Sequence, residues 1–112
     1  MLYEKNLSEP WFSLIKFKIK TVEGRLNKGD FSKMNIGDEI TFTNNELGIP
    51  RQFTVKIVDI KNYDTFRSYL RAEGLSRCLP TIEDLENGVS VYYKYYTPSD
   101  EATYGIKAFK FD

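Results

Sequence analysis

The alternation of apolar and polar positions is clearest in the middle of the chain. In "RQFTVKIVDIKNY", Phe53, Val55 and Ile57 alternate with Thr54, Lys56 and Val58, which predicts a strand. A second alternation begins at Thr21, with Val22, Gly24 and Leu26 on one side and Glu23 and Arg25 on the other, and predicts a strand with one polar face. In "NIGDEITFTN", Gly37-Asp38 reads as a turn that feeds a strand carrying Ile40 and Phe42, and "NNELGIP" reads as loop. The chain closes on "GIKAFKF", a last strand.

Helical spacing appears between these runs. Ser8, Glu9 and Pro10 have the chemistry of a helix start, and Trp11, Leu14 and Ile15 then share one face of a helix ending near Lys18 to Lys20. Asp64 is positioned to cap "TFRSYLRAEG", which would bury Phe66, Tyr69 and Leu70 and stop at Gly74. Thr81 and Asp84 approximate a capping box for a helix from Ile82 to about Tyr95, with Leu85, Val89, Tyr92 and Tyr96 inward. "TPSDEATYG" reads as a turn. The order is helix, three strands, two helices, strand. So few strands cannot build a doubly wound sheet. They predict one α+β domain over residues 1–112, a small, strongly curved mixed sheet or barrel flanked by short helices. The junction from Lys20 to Arg25 and the loop around Glu73 would both reach the barrel mouth.

Composition sharpens this picture. At 112 residues the chain buries roughly two-thirds of its unfolded surface, enough for one core. Its aromatic share of 15% supplies the burial that 41% hydrophobic residues would otherwise leave thin, which argues against disorder. Cys78 is the single cysteine, so no internal disulfide forms, and its neighbours suggest a buried, apolar role. No apolar run approaches the 18 or so residues of a membrane span, so a cytoplasmic protein is expected. With no histidine there is no Ser-His or Cys-His nucleophile pair. A zinc site would lack cysteines, and no Gly-rich phosphate loop is present, so neither metal nor cofactor is expected. Acids and bases balance at 16 each, but Lys16, Lys18, Lys20, Arg25, Lys28 and Lys33 gather in one segment against Glu23 and Asp30. Such a basic end can orient a polyanion locally, or it can be an ordinary solvated face.

The stretch "WFSLIKFKIKTVEGRLNKGDFSKMNIGDEITF" resembles the ASCH domain, a branch of the PUA-like β-barrel superfamily, whose signature is Gly-x-Lys-x-x-Glu-x-Arg after a short Trp-bearing helix. The matching residues are Trp11, Lys20, Glu23 and Arg25, with Gly37-Asp38 opening the next strand; "YLRAEGLSRCLP" and "VYYKYYTPSDEATYGIKAF" are similar to the later part of the family pattern. One departure stands out: the signature glycine falls on Lys18, which changes the helix end or adds a positive charge near the mouth.

The resemblance implies a PUA-like barrel with a cleft that binds single-stranded RNA or a nucleotide, lined by Trp11, Lys20, Glu23, Arg25, Glu73 and Tyr95. The residue chemistry is compatible. In a strand Glu23 and Arg25 project from one face about 7 Å apart. A carboxylate accepts from a base N–H, Arg and Lys donate to carbonyl or phosphate oxygens, and Trp11 or a tyrosine stacks on an unpaired, possibly modified base. One family branch implies a second activity, hydrolysis of N4-acetylcytidine by a Lys, a Thr and a Glu. Lys20 and Glu73 fall on two of these, but Glu23 occupies the Thr position and Thr21 has the wrong strand parity. If the chain were such an enzyme, or a ribonuclease, Lys20, Glu23 and Glu73 would carry the chemistry. A third reading is a protein–protein adaptor without a ligand. The simpler structural readings are a Glu23–Arg25 ion pair, a solvated Lys20, core positions for Tyr92 and Tyr96, and an exposed helix end at Glu73. A monomer is the expected state.

Overall fold

The structure, a computed structural model, describes residues 1–112. Five strands form one mixed sheet in the order β1-β3-β4-β5-β2. β3 (Glu39–Asn44) runs antiparallel to β4 (Arg51–Tyr63), which runs antiparallel to β5 (Ile106–Phe111), and β5 antiparallel to β2 (Val22–Leu26). β1 (Leu2–Asn6) pairs parallel with β3 and is the element the sequence reading missed: its short "LYEKN" precedes the helix without a turn signal.

The long strand β4 sets the curvature. Its first part pairs with β3 from Arg51 to Lys56, and its second part pairs with β5 from Ile57 to Tyr63, with a register shift between Ile57 and Asp59. An extra residue at such a shift bends and twists the strand. The sheet thereby curls into a half-barrel whose edges, β1 and β2, do not pair. The expected curved mixed sheet is present, open rather than closed.

Two hydrophobic clusters fill the two halves. One gathers Phe12, Ile15, Ile40, Phe42, Ile57 and Phe109 beneath α1 (Trp11–Lys16). The other packs Val22, Leu26 and Ile106 against Phe66, Tyr69 and Leu70 of α3 (Phe66–Glu73) and Val89 and Tyr92 of α5 (Leu85–Tyr93). Trp11 touches both. α3 sits close on β2 because residue 24 is glycine: a Cβ there would lie 2.5 Å from Tyr69 Cζ. No helix is long and apolar enough to cross a membrane.

Helix boundaries correct several expectations. Thr65, not Asp64, caps α3, because Thr65 and Ser68 complete a reciprocal capping box. α5 begins after Asp84, whose carboxylate accepts from Asn87 N–H at 2.8 Å, and stops at Tyr93 rather than Tyr95. "TPSDEATYG" is not a turn but α6 (Pro98–Tyr104), opened by Thr97, a first-turn proline and Asp100. Short turns of helix, α2 (Asp30–Lys33) and α4 (Leu75–Cys78), occupy segments too brief for a periodic signal.

The first helix ends earlier than expected, at Lys16. Ile19 N–H donates to Leu14 C=O at 2.9 Å and Lys18 N–H to Ile15 C=O at 3.0 Å, the pair of bonds that closes a helix through a left-handed residue. That residue is Lys18, at φ +62°. Glycine is the residue that tolerates this conformation without a Cβ clash. The family pattern's glycine thus falls on the one non-glycine of positive φ, and the helix end is preserved despite the substitution. We expect Lys18→Gly to raise the unfolding free energy by about 1 kcal/mol, measured as a higher urea midpoint at unchanged slope. Lower stability would mean that the lysine side chain contributes more than the strain costs.

Candidate functional site

The turn at Lys18 sends Lys16 and Lys18 to solvent and Lys20 inward, leaving it 1% exposed. An ammonium has three donors, and three acceptors surround this one. Nζ lies 2.7 Å from Val22 C=O, donates to Cys78 C=O, and sits 3.3 Å from Glu23 Oε1. Trp11 covers the same ammonium with its ring centroid at 5.8 Å. Lys20 is therefore neither a solvated side chain nor a free ligand-binding cation; its hydrogen-bonding capacity is used within the fold.

Glu23 and Arg25 share one face of β2, as the strand parity requires. Glu23 on that face is buried and Arg25 half-buried, however, and the Arg25 guanidinium folds back onto its neighbour. Arg25 Nε and Nη2 lie 3.2 and 3.1 Å from Glu23 Oε2. The carboxylate is thus held between two cations, Lys20 on one oxygen and Arg25 on the other. Burial pushes the Glu23 carboxyl up, but the two charges outweigh it and hold it below its ordinary 4.5. Phe31, from the unforeseen α2, stacks under Arg25 with its centroid 5.0 Å from Cζ. Burial works against the charged guanidinium, yet Glu23 raises its affinity for the proton.

These groups line a cavity of about 610 Å³ where the two sheet edges stay apart. That size lies within the roughly 300–1,000 Å³ of small-molecule sites. One wall is Lys20, Glu23, Gly24 and Arg25; the facing wall is the end of β1 with Leu7 and Ser8, and Thr43 to Glu46 after β3. Asn44 braces that wall, donating to Leu7 C=O at 2.9 Å and accepting from Arg51 Nη2 at 2.8 Å. In the sequence this wall is hidden, because "NNEL" carries only a loop signal.

The remaining wall is aromatic. Tyr92, buried, stacks on Phe66 at 4.5 Å between centroids and bonds through its hydroxyl to Tyr69 at 2.9 Å. Burial pushes both phenols well above their usual value, so both stay protonated. Tyr96 stacks on the other flank of Phe66 at 5.6 Å and also lines the cavity, so its inward position is both core and site. Tyr95 stands at the rim, 60% exposed, and the half-buried Trp11 lines the cavity as well.

Of the six expected site residues, five therefore converge: Trp11, Lys20, Glu23, Arg25 and Tyr95. Glu73 does not. It accepts the Tyr63 hydroxyl, whose pKa burial and that carboxylate together raise to about 12, and it lies outside the cavity wall. Cys78 is buried, and burial pushes its thiol up to about 11, so it is no thiolate nucleophile at neutral pH. No three His, Cys, Asp or Glu side chains gather to hold a metal ion.

Removing one partner of a buried network strands the others, so Lys20→Met is expected to cost about 3–5 kcal/mol in a urea titration; a loss below about 1 kcal/mol would mean that the ammonium contributes little. For pH, Glu23 releases its proton more readily folded than unfolded, so its contribution is complete above about 4.5, the ordinary value, and is lost as pH falls through the lowered one. The stability difference between the native protein and Glu23→Gln should therefore shrink on acidification below 4.5; a constant difference from pH 7 to pH 3 would contradict the assignment.

The sequence matches the ASCH domain over residues 6–112. Among solved structures, the crystal structure of hypothetical protein PH0355 is 32% identical, superposes with a TM-score of 0.90, and covers 100% of this chain and 98% of its own. The solution NMR structure of protein PF0455 from Pyrococcus furiosus is 34% identical, with a TM-score of 0.80 and coverage of 100% and 96%. No curated protein matches the chain.

Proposed function

The chain belongs to the ASCH domain family, and we propose that its cavity is a reader site that takes an unpaired base of single-stranded RNA, or a nucleotide. The observation that carries this reading is the buried carboxylate of Glu23, locked between Lys20 and Arg25 in the wall of the cavity. An acid in the floor would repel a bare phosphate, whereas a base edge offers it N–H donors. Arg25 spends Nε and Nη2 on Glu23; Nη1, which Glu23 does not engage, is available beside the Tyr96 phenol as a donor for a ring carbonyl or a phosphate oxygen. Trp11, Tyr95 and Tyr96 supply flat apolar surface, which unpaired bases seek and paired ones cannot offer.

The same geometry favours binding over hydrolysis. Stabilising an oxyanion would require Lys20 to surrender one of its three internal bonds. Glu73, the other residue an amidohydrolase reading calls on, lies outside the cavity wall.

Calorimetric titration with the four nucleoside 5′-monophosphates and with a short single-stranded RNA tests the reading. Saturable binding of at least one of these is expected, and no heat with any of them would overturn it. Arg25→Ala should weaken the interaction by about 1–3 kcal/mol, the worth of a charge-assisted contact, and unchanged affinity would remove Arg25 from the site. Tyr95→Ala should cost about 1–3 kcal/mol if its ring stacks on a base, with little change in stability, since the ring is mostly solvated. Equal affinity would place the ligand away from the rim.

A further inference from the structure

β2 is an edge strand: β5 pairs with one side of it, and no strand covers the other. The register decides which main-chain groups look toward the open side. Phe111 N–H donates to Thr21 C=O at 3.2 Å, and Asn27 N–H to Gly105 C=O at 3.0 Å. Positions 21 and 27, and by the two-residue period 23 and 25, therefore spend their main-chain groups on β5. Val22, Gly24 and Leu26 direct theirs away from it. Lys20 Nζ occupies the Val22 carbonyl at 2.7 Å, and Lys28 N–H occupies that of Leu26 at 2.8 Å. Between them Gly24, although buried, has no partner in the chain for either its N–H or its C=O.

A buried donor and acceptor left unmatched cost free energy, so native proteins pair them with water or with a ligand. Here the residue lines the cavity, flanked by Glu23 and Arg25. On the α3 side the Tyr69 ring seals the space a side chain would take.

We infer that Gly24 is a base-contacting position whose main-chain N–H and C=O pair with the hydrogen-bonding edge of the bound base, much as an added strand pairs with a sheet edge. The inference rests on reading the cavity as a base site. Every nucleobase carries a neighbouring donor and acceptor on its pairing edge: ring N–H beside carbonyl in guanine and uracil, amino beside ring nitrogen in adenine and cytosine. In one of two orientations each satisfies a main-chain pair. The contact therefore selects a free edge over a duplexed one, and it does not by itself choose among bases. Side-chain contacts from Glu23 and Arg25 would add that choice.

The test uses the full chain labelled with ¹⁵N, titrated with UMP, CMP, AMP and GMP, and then with the edge-methylated counterpart of each nucleotide that binds, such as 3-methyl-UMP or 1-methyl-GMP. Methylation of the ring N–H of uracil or guanine keeps the ring, its charge, the ribose and the phosphate but blocks the edge; for adenine and cytosine, whose ring-methylated forms are cations, the neutral N6,N6-dimethyl-AMP and N4,N4-dimethyl-CMP block it instead. The expected result is that the Gly24 amide resonance moves on binding, its hydrogen exchange slows by about tenfold or more, and the methylated nucleotide binds at least about tenfold more weakly. If nucleotides shift the Trp11 indole and Tyr95 while Gly24 stays unchanged and methylation has no effect, the main-chain contact is overturned and the cavity reading survives. If no nucleotide moves any resonance of the cavity, the reading beneath the inference fails, and the inference fails with it.

Discussion

A carboxylate removed from water between two cations governs this structure. Glu23 alone at 6% exposure would be an expensive guest in the protein interior. Lys20 and Arg25 offset that cost, and each is stabilised in turn: Lys20 by two main-chain carbonyls and Arg25 by the Phe31 ring. The network does more than balance charge. Through Lys20 it ties the end of the first helix to the Val22 and Cys78 carbonyls, and so joins β2 to α4. The segment that carries the chemistry is held from both sides.

The half-barrel makes room for what the network presents. Because β1 and β2 remain unpaired, a gap persists where a closed barrel would have a seam, and α1, α5 and the chain after β3 border it. Stacked rings behind the opening are rigid and apolar, whereas the opposite wall is polar and braced by Asn44. A flat heteroatom-rich ring suits such a hollow better than a flexible or purely anionic ligand. The mixed polarity follows from residues already committed to the fold, which is why core and site cannot be separated at Tyr92 or Lys20.

Much of this was legible beforehand. Alternation located β2, β3, β4 and β5, and parity placed Glu23 and Arg25 on one face. The resemblance carried by Trp11, Lys20, Glu23 and Arg25 pointed to residues that do converge. What stayed hidden has physical reasons. β1 and α2 are too short for a period to show, and β1 derives its order from β3, a partner distant in sequence. Asp64 and Thr65 are both good caps, and only tertiary geometry chose between them. "KFKIK" looked like one basic run, but the left-handed turn at Lys18 separates two solvated lysines from a buried one. For Glu73 the sequence offers only the family resemblance and a place beside a helix end, and neither says anything about the Tyr63 hydroxyl that it accepts.

The most direct test of this account is a crystal structure of the protein soaked with a nucleoside monophosphate that binds it in solution. The account predicts a base lying between Trp11 and Tyr95, its edge within hydrogen-bond distance of β2, with Lys20 still bonded to Val22 and Cys78. A nucleotide held on another surface, or one whose phosphate displaces Arg25 from Glu23 while the base points to solvent, would contradict it.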